Sequence, residues 1–238
     1  MLRLWATLMM MFCAVPAAAQ QMSTRTWVDS QGTTWTETTT TDWAVAGSER
    51  LLHSPAAAPK IKGIARFGPF AVLDAARASL VAETDTVSPA DFQRMLRAFP
   101  GIRVLEMDDC PGTVDDTANL KLGRMIRAQG LTTKVPPGGS VRSGAVELFL
   151  AGSARHAAPD AEFAVHSWRD DDGNEPQDFA AVDPVNAAYL GYYREMGLSA
   201  KQAAAFYALT NSVANDQVLV LHTPDIASFA QLDQQLPL

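Results

Sequence analysis

The sequence predicts an α/β fold built on a mainly parallel sheet, and three observations predict it. Short apolar runs alternate with amphipathic stretches in the order strand, helix, strand, helix, strand, helix, strand. Glycine and proline punctuate the joins. The 238 residues hold two cysteines, and the first stands in a segment expected to be removed. The fold must therefore rest on a buried core rather than on disulfides.

That segment is MLRLWATLMMMFCAVPAAAQ. Arg3 gives it a positive start, Leu4 to Val15 an apolar centre, and AAA before Gln20 small residues for cleavage. It reads as a secretory signal over residues 1–19, too short for a membrane span, and places the protein in the periplasm or outside the cell. Cleavage leaves about 219 residues, enough for one domain, and no second long apolar run follows. Cys110 is then alone, which excludes a cysteine-based zinc site, and the four histidines lack metal-ligand spacing. A net charge of -7 without a basic patch excludes nucleic acid as a partner.

Residues 20–59 form a Thr/Trp-rich peripheral arm and linker. TRTWVDSQGTTWTETTTTDW reads either as a hairpin turning near residues 30–32 or as a loosely held arm. SPAAAP at 54–59 leads into the main domain, residues 60–238. There GPFAVLDAA and ASLVAETD read as strands. SPADFQRMLRAF reads as a helix with Ser88 as its cap and Pro89 at its first position, and GIRVLEMD as a strand. DDCPGTVDD is expected to be a loop, ANLKLGRMIRAQG a helix stopped by Gly130, and LTTKVP a strand. A loop at 138–143 precedes a short helix in GAVELFLAG, and AEFAVHS is a strand ending at His166. Three further helices follow, in NAAYLGYYREMG, SAKQAAAFYALTNS and TPDIASFAQLD, the last with Thr223 as a cap.

Ligands in parallel sheets collect at the carboxyl ends of strands. That brings the 108–113 loop, the 136–143 loop and His166 towards one another. Ser143, at the join between a small-residue loop and an apolar helix, serves either as a helix cap or as a nucleophile beside free backbone N–H groups. His166 serves either as a general base or as a structural histidine beside Trp168. A carboxylate to orient the imidazole has several candidates: the DDDG turn at 170–173, Asp183, Asp216, Asp108 and Asp109. Asp216 is the most plausible by position. His156 reads as a solvated loop residue, and His53 and His222 as peripheral. No phosphate-binding glycine motif is present.

The run DDCPGTVDDTANLKLGRMIRAQGLTTKVPPGGSVRSGAVELFLAGSARHAAPDAEFAVHSW resembles the core of the ClpP/crotonase superfamily, and most closely its exported ClpP-like members in bacteria. The resemblance implies repeated β-β-α units, serine peptidase chemistry and self-association into a homo-oligomer. It places the nucleophile on Ser143, the base on His166 and a late acid on Asp216. Oxyanion donors fall on the Gly112 loop, with Thr113, and on the N–H of Gly144. The first loop departs from the family's P-G-G-S-V: it reads CPGTVDD, so Thr113 brings a side chain to a donor position.

The expected protein is thus an exported serine hydrolase acting on peptide or amide bonds without a cofactor. Two alternatives stand beside it. One is a degenerate module that binds peptides or envelope proteins without cutting them. The other is a self-assembling structural protein that packs through the aromatic face of YLGYYREM.

Overall fold

The computed structural model describes residues 61–233 and, as backbone alone, strands at 21–28, 34–41 and 50–51. The expected signal at 1–19 and the linker at 54–59 lie outside the described residues. The chain divides into two compact units, residues 1–46 and 47–238. In the first, β1 (Gln21–Val28) and β2 (Thr34–Thr41) pair antiparallel, with Trp27 opposite Trp35.

The second unit is built by repetition. Its opening strands are β3 (Arg50–Leu51), β4 (Ala65–Phe67), β5 (Phe70–Val72) and β6 (Arg77–Leu80), followed by α1 (Ser88–Ala98). The first full turn is β7 (Val104–Met107), β8 (Asp109–Cys110), the short β9 (Gly112–Thr113) and α2 (Asp116–Ala128). The second is β10 (Thr132–Val135), β11 (Ser140–Arg142) and α3 (Ala145–Leu150). The third is β12 (Ala154–Ala157), β13 (Glu162–Val165) and α4 (Pro184–Glu195). Then come α5 (Ala200–Thr210), β14 (Leu219–His222) and α6 (Thr223–Phe229).

Each turn lays its first strand in a six-stranded sheet, ordered β12-β10-β7-β6-β5-β4. Its second strand goes into a four-stranded sheet, ordered β14-β13-β11-β8. The α/β fold of repeated β-β-α units expected from the sequence is therefore present. The sheets are mixed: β6-β7-β10-β12 and β8-β11-β13 are parallel, while β4-β5-β6 and the β13–β14 pair are antiparallel.

Composition explains why α3 is central. A helix that is apolar all round has no face for solvent, and every residue of AVELFL is buried. The whole stretch 141–152 is buried. Phe149 meets Phe163 of β13 with ring centroids 5.0 Å apart. Gly130, at φ 66°, ends α2 in the left-handed region that costs glycine least.

Several local expectations are corrected. Ser88 is the first residue of α1 rather than its cap. Its hydroxyl donates to Asp85 Oδ1 at 2.7 Å. Thr223 likewise opens α6 and donates to the Ala158 carbonyl at 2.6 Å. The loops at 108–113 and 138–143 contain β8, β9 and β11. His156 lies in β12, with Nδ1 3.0 Å from the Asp233 carbonyl oxygen. Tyr189, Tyr192 and Tyr193 of YLGYYREM are core residues at 4%, 0% and 1% exposure, so the aromatic packing face expected for self-assembly is turned inward. No helix among the described residues is long and apolar enough to cross a membrane.

Two outcomes are expected. Phe149→Ala should lower unfolding stability by about 3–5 kcal/mol, read from the denaturant midpoint. Cys110 is fully buried, and burial pushes its thiol well above the usual range. It should resist alkylation in the native protein and react once the chain is unfolded.

Candidate active site

β11 runs parallel between β8 and β13, with Val141 opposite both Cys110 and Phe163. Its last residue, Arg142, pairs with Asp109 and donates to Ser140 Oγ at 2.9 Å. That anchors the strand end. Ser143 then leaves the sheet: its amide donates to the Ala164 carbonyl at 2.7 Å, and its own carbonyl accepts from Val146 N at 2.9 Å to start α3. The turn between these two bonds forces Ser143 to φ 51°. It is the one non-glycine residue in the left-handed region among the described residues. Such a backbone costs about 1–3 kcal/mol, and glycine would relieve it. The sequence nonetheless keeps a serine there, 5% exposed, whose Oγ is buried and has no hydrogen-bond partner among the described residues.

His166 stands one residue past β13 and is 4% exposed. Its Nδ1 lies 3.0 Å from the Ser167 carbonyl oxygen. Asn215 Nδ2 donates to the same oxygen at 2.8 Å and lies 3.3 Å from Nδ1. A carbonyl can only accept, so we assign the hydrogen to Nδ1, which leaves Nε2 as the basic nitrogen. Asn215 is fixed in turn: its amide donates to Glu175 Oε1 at 3.1 Å. Burial pushes the Glu175 carboxyl up, but the Asn215 amide, Gln177 and Arg169 together hold it below the usual carboxylate range.

The ring is thus held by the Ser167 carbonyl, which Asn215 braces by donating to it, and the expected Asp216 does not stand at the imidazole. Asp216 lies one position on and is exposed, because the backbone after α5 turns Asn215 towards the ring. The other acids stand elsewhere. Asp109 serves Arg142. Burial, then Asp109 and Glu106, push the Asp108 carboxyl up. Asp183 caps α4 by accepting from Val185 N at 3.0 Å. Asp170 of DDDG accepts from the amides of Asp172 and Asn174 within its own turn.

Ser143 and His166 line one small cavity of about 10 Å³, with Glu147 of α3 and the rings of Trp168, Tyr189, Tyr193 and Tyr207. That is room for about one water molecule. Since Ser143 Oγ makes no hydrogen bond among the described residues, the bond a working Ser–His pair would share is not formed here. Trp168 and Tyr189 also line a larger neighbouring cleft of about 470 Å³. Their rings are parallel, with centroids 6.2 Å apart. They form the wall between cleft and cavity.

The residues of the expected oxyanion donors lie side by side. Gly144 caps α3, outside the helix's own hydrogen-bond ladder at its start. Its carbonyl accepts from Asn119 Nδ2 at 2.6 Å. A Cβ at Gly144 would come within 2.5 Å of Thr113 Cγ2, so glycine is required for β9 to pack against this turn. Gly112 and Thr113 do not line the Ser143 cavity; Thr113 faces the larger cleft. The Val114 amide is already committed, donating to the Thr84 carbonyl at 2.9 Å. Thr113 Oγ1 lies 3.1 Å from the carbonyl oxygens of both Thr84 and Asp115, within reach of either for its one hydrogen. Sequence reasoning passed over Glu147 and Asn215. The first left a signal, a lone acid inside an all-apolar helix. Among the described residues no group of three acids, histidines or cysteines is arranged to hold a metal ion.

No protein-family model and no curated protein matches this chain. Solved structures resemble it at low identity. A ClpP1 variant from Listeria monocytogenes is 16% identical with a TM-score of 0.46, the match covering 66% of this chain and 88% of that one. A putative enoyl-CoA hydratase from Streptomyces coelicolor is 11% identical with a TM-score of 0.45, covering 76% and 71%. A membrane protease specific for a stomatin homolog, from Pyrococcus horikoshii, is 14% identical with a TM-score of 0.42, covering 65% and 69%. The chemistry of the site rests on this chain's own residues.

Two measurements probe the site's construction. Ser143→Gly should be more stable than Ser143→Ala by on the order of 1 kcal/mol, since only glycine relaxes the left-handed backbone. Equal melting temperatures would show that the turn carries no strain. Glu175 has a depressed folded value, so the unfolded chain binds its proton more readily. The stability it lends is complete above its unfolded value, about pH 4.3, and fades as pH falls through the lower folded value. Glu175→Gln should flatten that acid limb of a stability–pH curve.

Proposed function

We propose that the protein is an exported serine hydrolase that cleaves amide or peptide bonds through Ser143 and His166. One observation carries the reading: a serine held at φ 51° with a buried Oγ, in the same cavity as a histidine whose other ring nitrogen is fixed by a carbonyl. Strain and burial of this kind collect where a side chain is needed for function.

In the reaction, His166 Nε2 takes the proton of Ser143 as Oγ bonds to the substrate's carbonyl carbon. The carbonyl electron pair moves to oxygen, and the Gly144 N–H donates to it. The tetrahedral species collapses, the C–N bond breaks, and the leaving amine takes the proton from Nε2. Water then repeats the sequence and releases the acid, restoring Ser143. The cleft of about 470 Å³ receives the substrate. The Trp168–Tyr189 wall must shift for the substrate to reach Oγ, and the Oγ–Nε2 bond closes as substrate binds, since such bonds are often loose before then.

A second reading has its own support. The Ser143–His166 bond is not formed, which suits a module that binds peptides or an envelope partner without cutting them. A fluorophosphonate probe separates the two. The hydrolase should label on one serine, with labelling lost in Ser143→Ala and slowed about 10²–10⁴-fold in His166→Ala. A protein that stays unlabelled across the pH range is a binder. Export is tested separately: the secreted chain should begin at Gln20.

A further inference from the structure

The cavity around Ser143 holds one carboxylate that the hydrolase reading does not use. Glu147 stands four residues after Ser143, one turn along α3, and is 5% exposed. The rest of that helix is apolar, so a carboxylate there must be kept for something that offsets its desolvation. The phenol of Tyr193 donates to Glu147 Oε1 at 2.8 Å, and the phenol of Tyr192 donates to the Glu147 carbonyl at 2.6 Å. The side chain is therefore fixed in direction by α4. Among the described residues lining the cavity, Glu147 is the acid and His166 the base. The remaining polar groups there are neutral: Ser143, Trp168, Tyr189, Tyr193, Tyr207, Thr210 and Asn211. On the opposite side of the imidazole, Ser167 and Asn215 offer a carbonyl and an amide, both uncharged.

We propose that Glu147 is the positioning acid of this site, balancing the charge of the His166 imidazolium from the Ser143 side of the ring. In most serine triads the carboxylate meets the nitrogen that faces away from the nucleophile. Here that side is occupied by the Ser167 carbonyl, which sets the tautomer without supplying charge, and by Asn215, which donates to that carbonyl. The charge comes from α3, the helix that Ser143 itself begins. When Nε2 takes the Ser143 proton, a cation appears in a cavity with little room for water. A fixed carboxylate in the same low-dielectric space favours that state. The Tyr193 hydrogen bond keeps Glu147 aimed and favours its carboxylate form. The role in turnover rests on the hydrolase reading; the electrostatic coupling to His166 does not.

The test is therefore a titration of His166 by NMR on the histidine-labelled full domain, which requires no turnover. Glu147→Gln should weaken proton binding at His166 about tenfold, while Glu147→Asp should recover part of the loss. Both effects are foreign to a purely structural role. If Glu147→Gln does not fold, the wild-type protein still decides. His166 should bind its proton at least as tightly as free imidazole despite its burial, whereas burial without a charge partner would weaken it. A wild-type imidazole that protonates well below free histidine, or a titration unchanged in Glu147→Gln, overturns the proposal. Absence of fluorophosphonate labelling overturns the hydrolase reading alone.

Discussion

The left-handed backbone at Ser143 is the constraint on which the site depends. It exists because β11 must finish its pairing with β13 and α3 must begin within one residue. The Ser143 amide is held by the Ala164 carbonyl on one side, and its own carbonyl by Val146 on the other. The apolar interior of α3 fixes how the helix enters the core, and the Arg142–Asp109 pair fixes where the strand ends. With both flanks set, the backbone at the join has no freedom to relax, and the hydroxyl is delivered into the protein interior.

The same spiral supplies the imidazole. β13 neighbours β11 with Arg142 opposite Ala164, so His166 arrives one position beyond the level of Ser143. Two strand ends, one helix start and a ring of aromatic side chains from α4 and α5 enclose the two groups. The enclosure has two chemical consequences. It removes water from Ser143 and His166, which strengthens any charge interaction between the cavity's groups. It also seals them from the outer cleft by Trp168 and Tyr189.

Much of this was legible in the residues, for reasons of period and punctuation. GAVELFLAG announced a buried helix because nothing in it can face solvent except Glu147. The apolar run before His166 announced a strand, and Gly130 marked the end of α2. What escaped was of two kinds. Strands of two or three residues, such as β8, β9 and β11, are too short to show a period. ARHA in β12 carries charges that mask a strand, because Arg155 is buried by donating to the Leu150 carbonyl at 2.7 Å and to the Met196 carbonyl. The second kind is tertiary. Whether Asn215 or Asp216 meets the imidazole depends on which way one turn faces, and no local pattern encodes that. Glu147 could be seen as an anomaly in its helix, but its company of His166 and Tyr193 comes from two other elements, the end of β13 and α4.

The most direct measurement is a structure of the protein after reaction with a phosphonate that mimics the tetrahedral intermediate. The account expects phosphorus bonded to Ser143 Oγ, a phosphoryl oxygen accepting from the Gly144 N–H, and His166 Nε2 within about 3 Å of the bonded oxygens. An adduct on another residue, or a Ser143 adduct with the imidazole turned away and the Gly144 amide uninvolved, would contradict it.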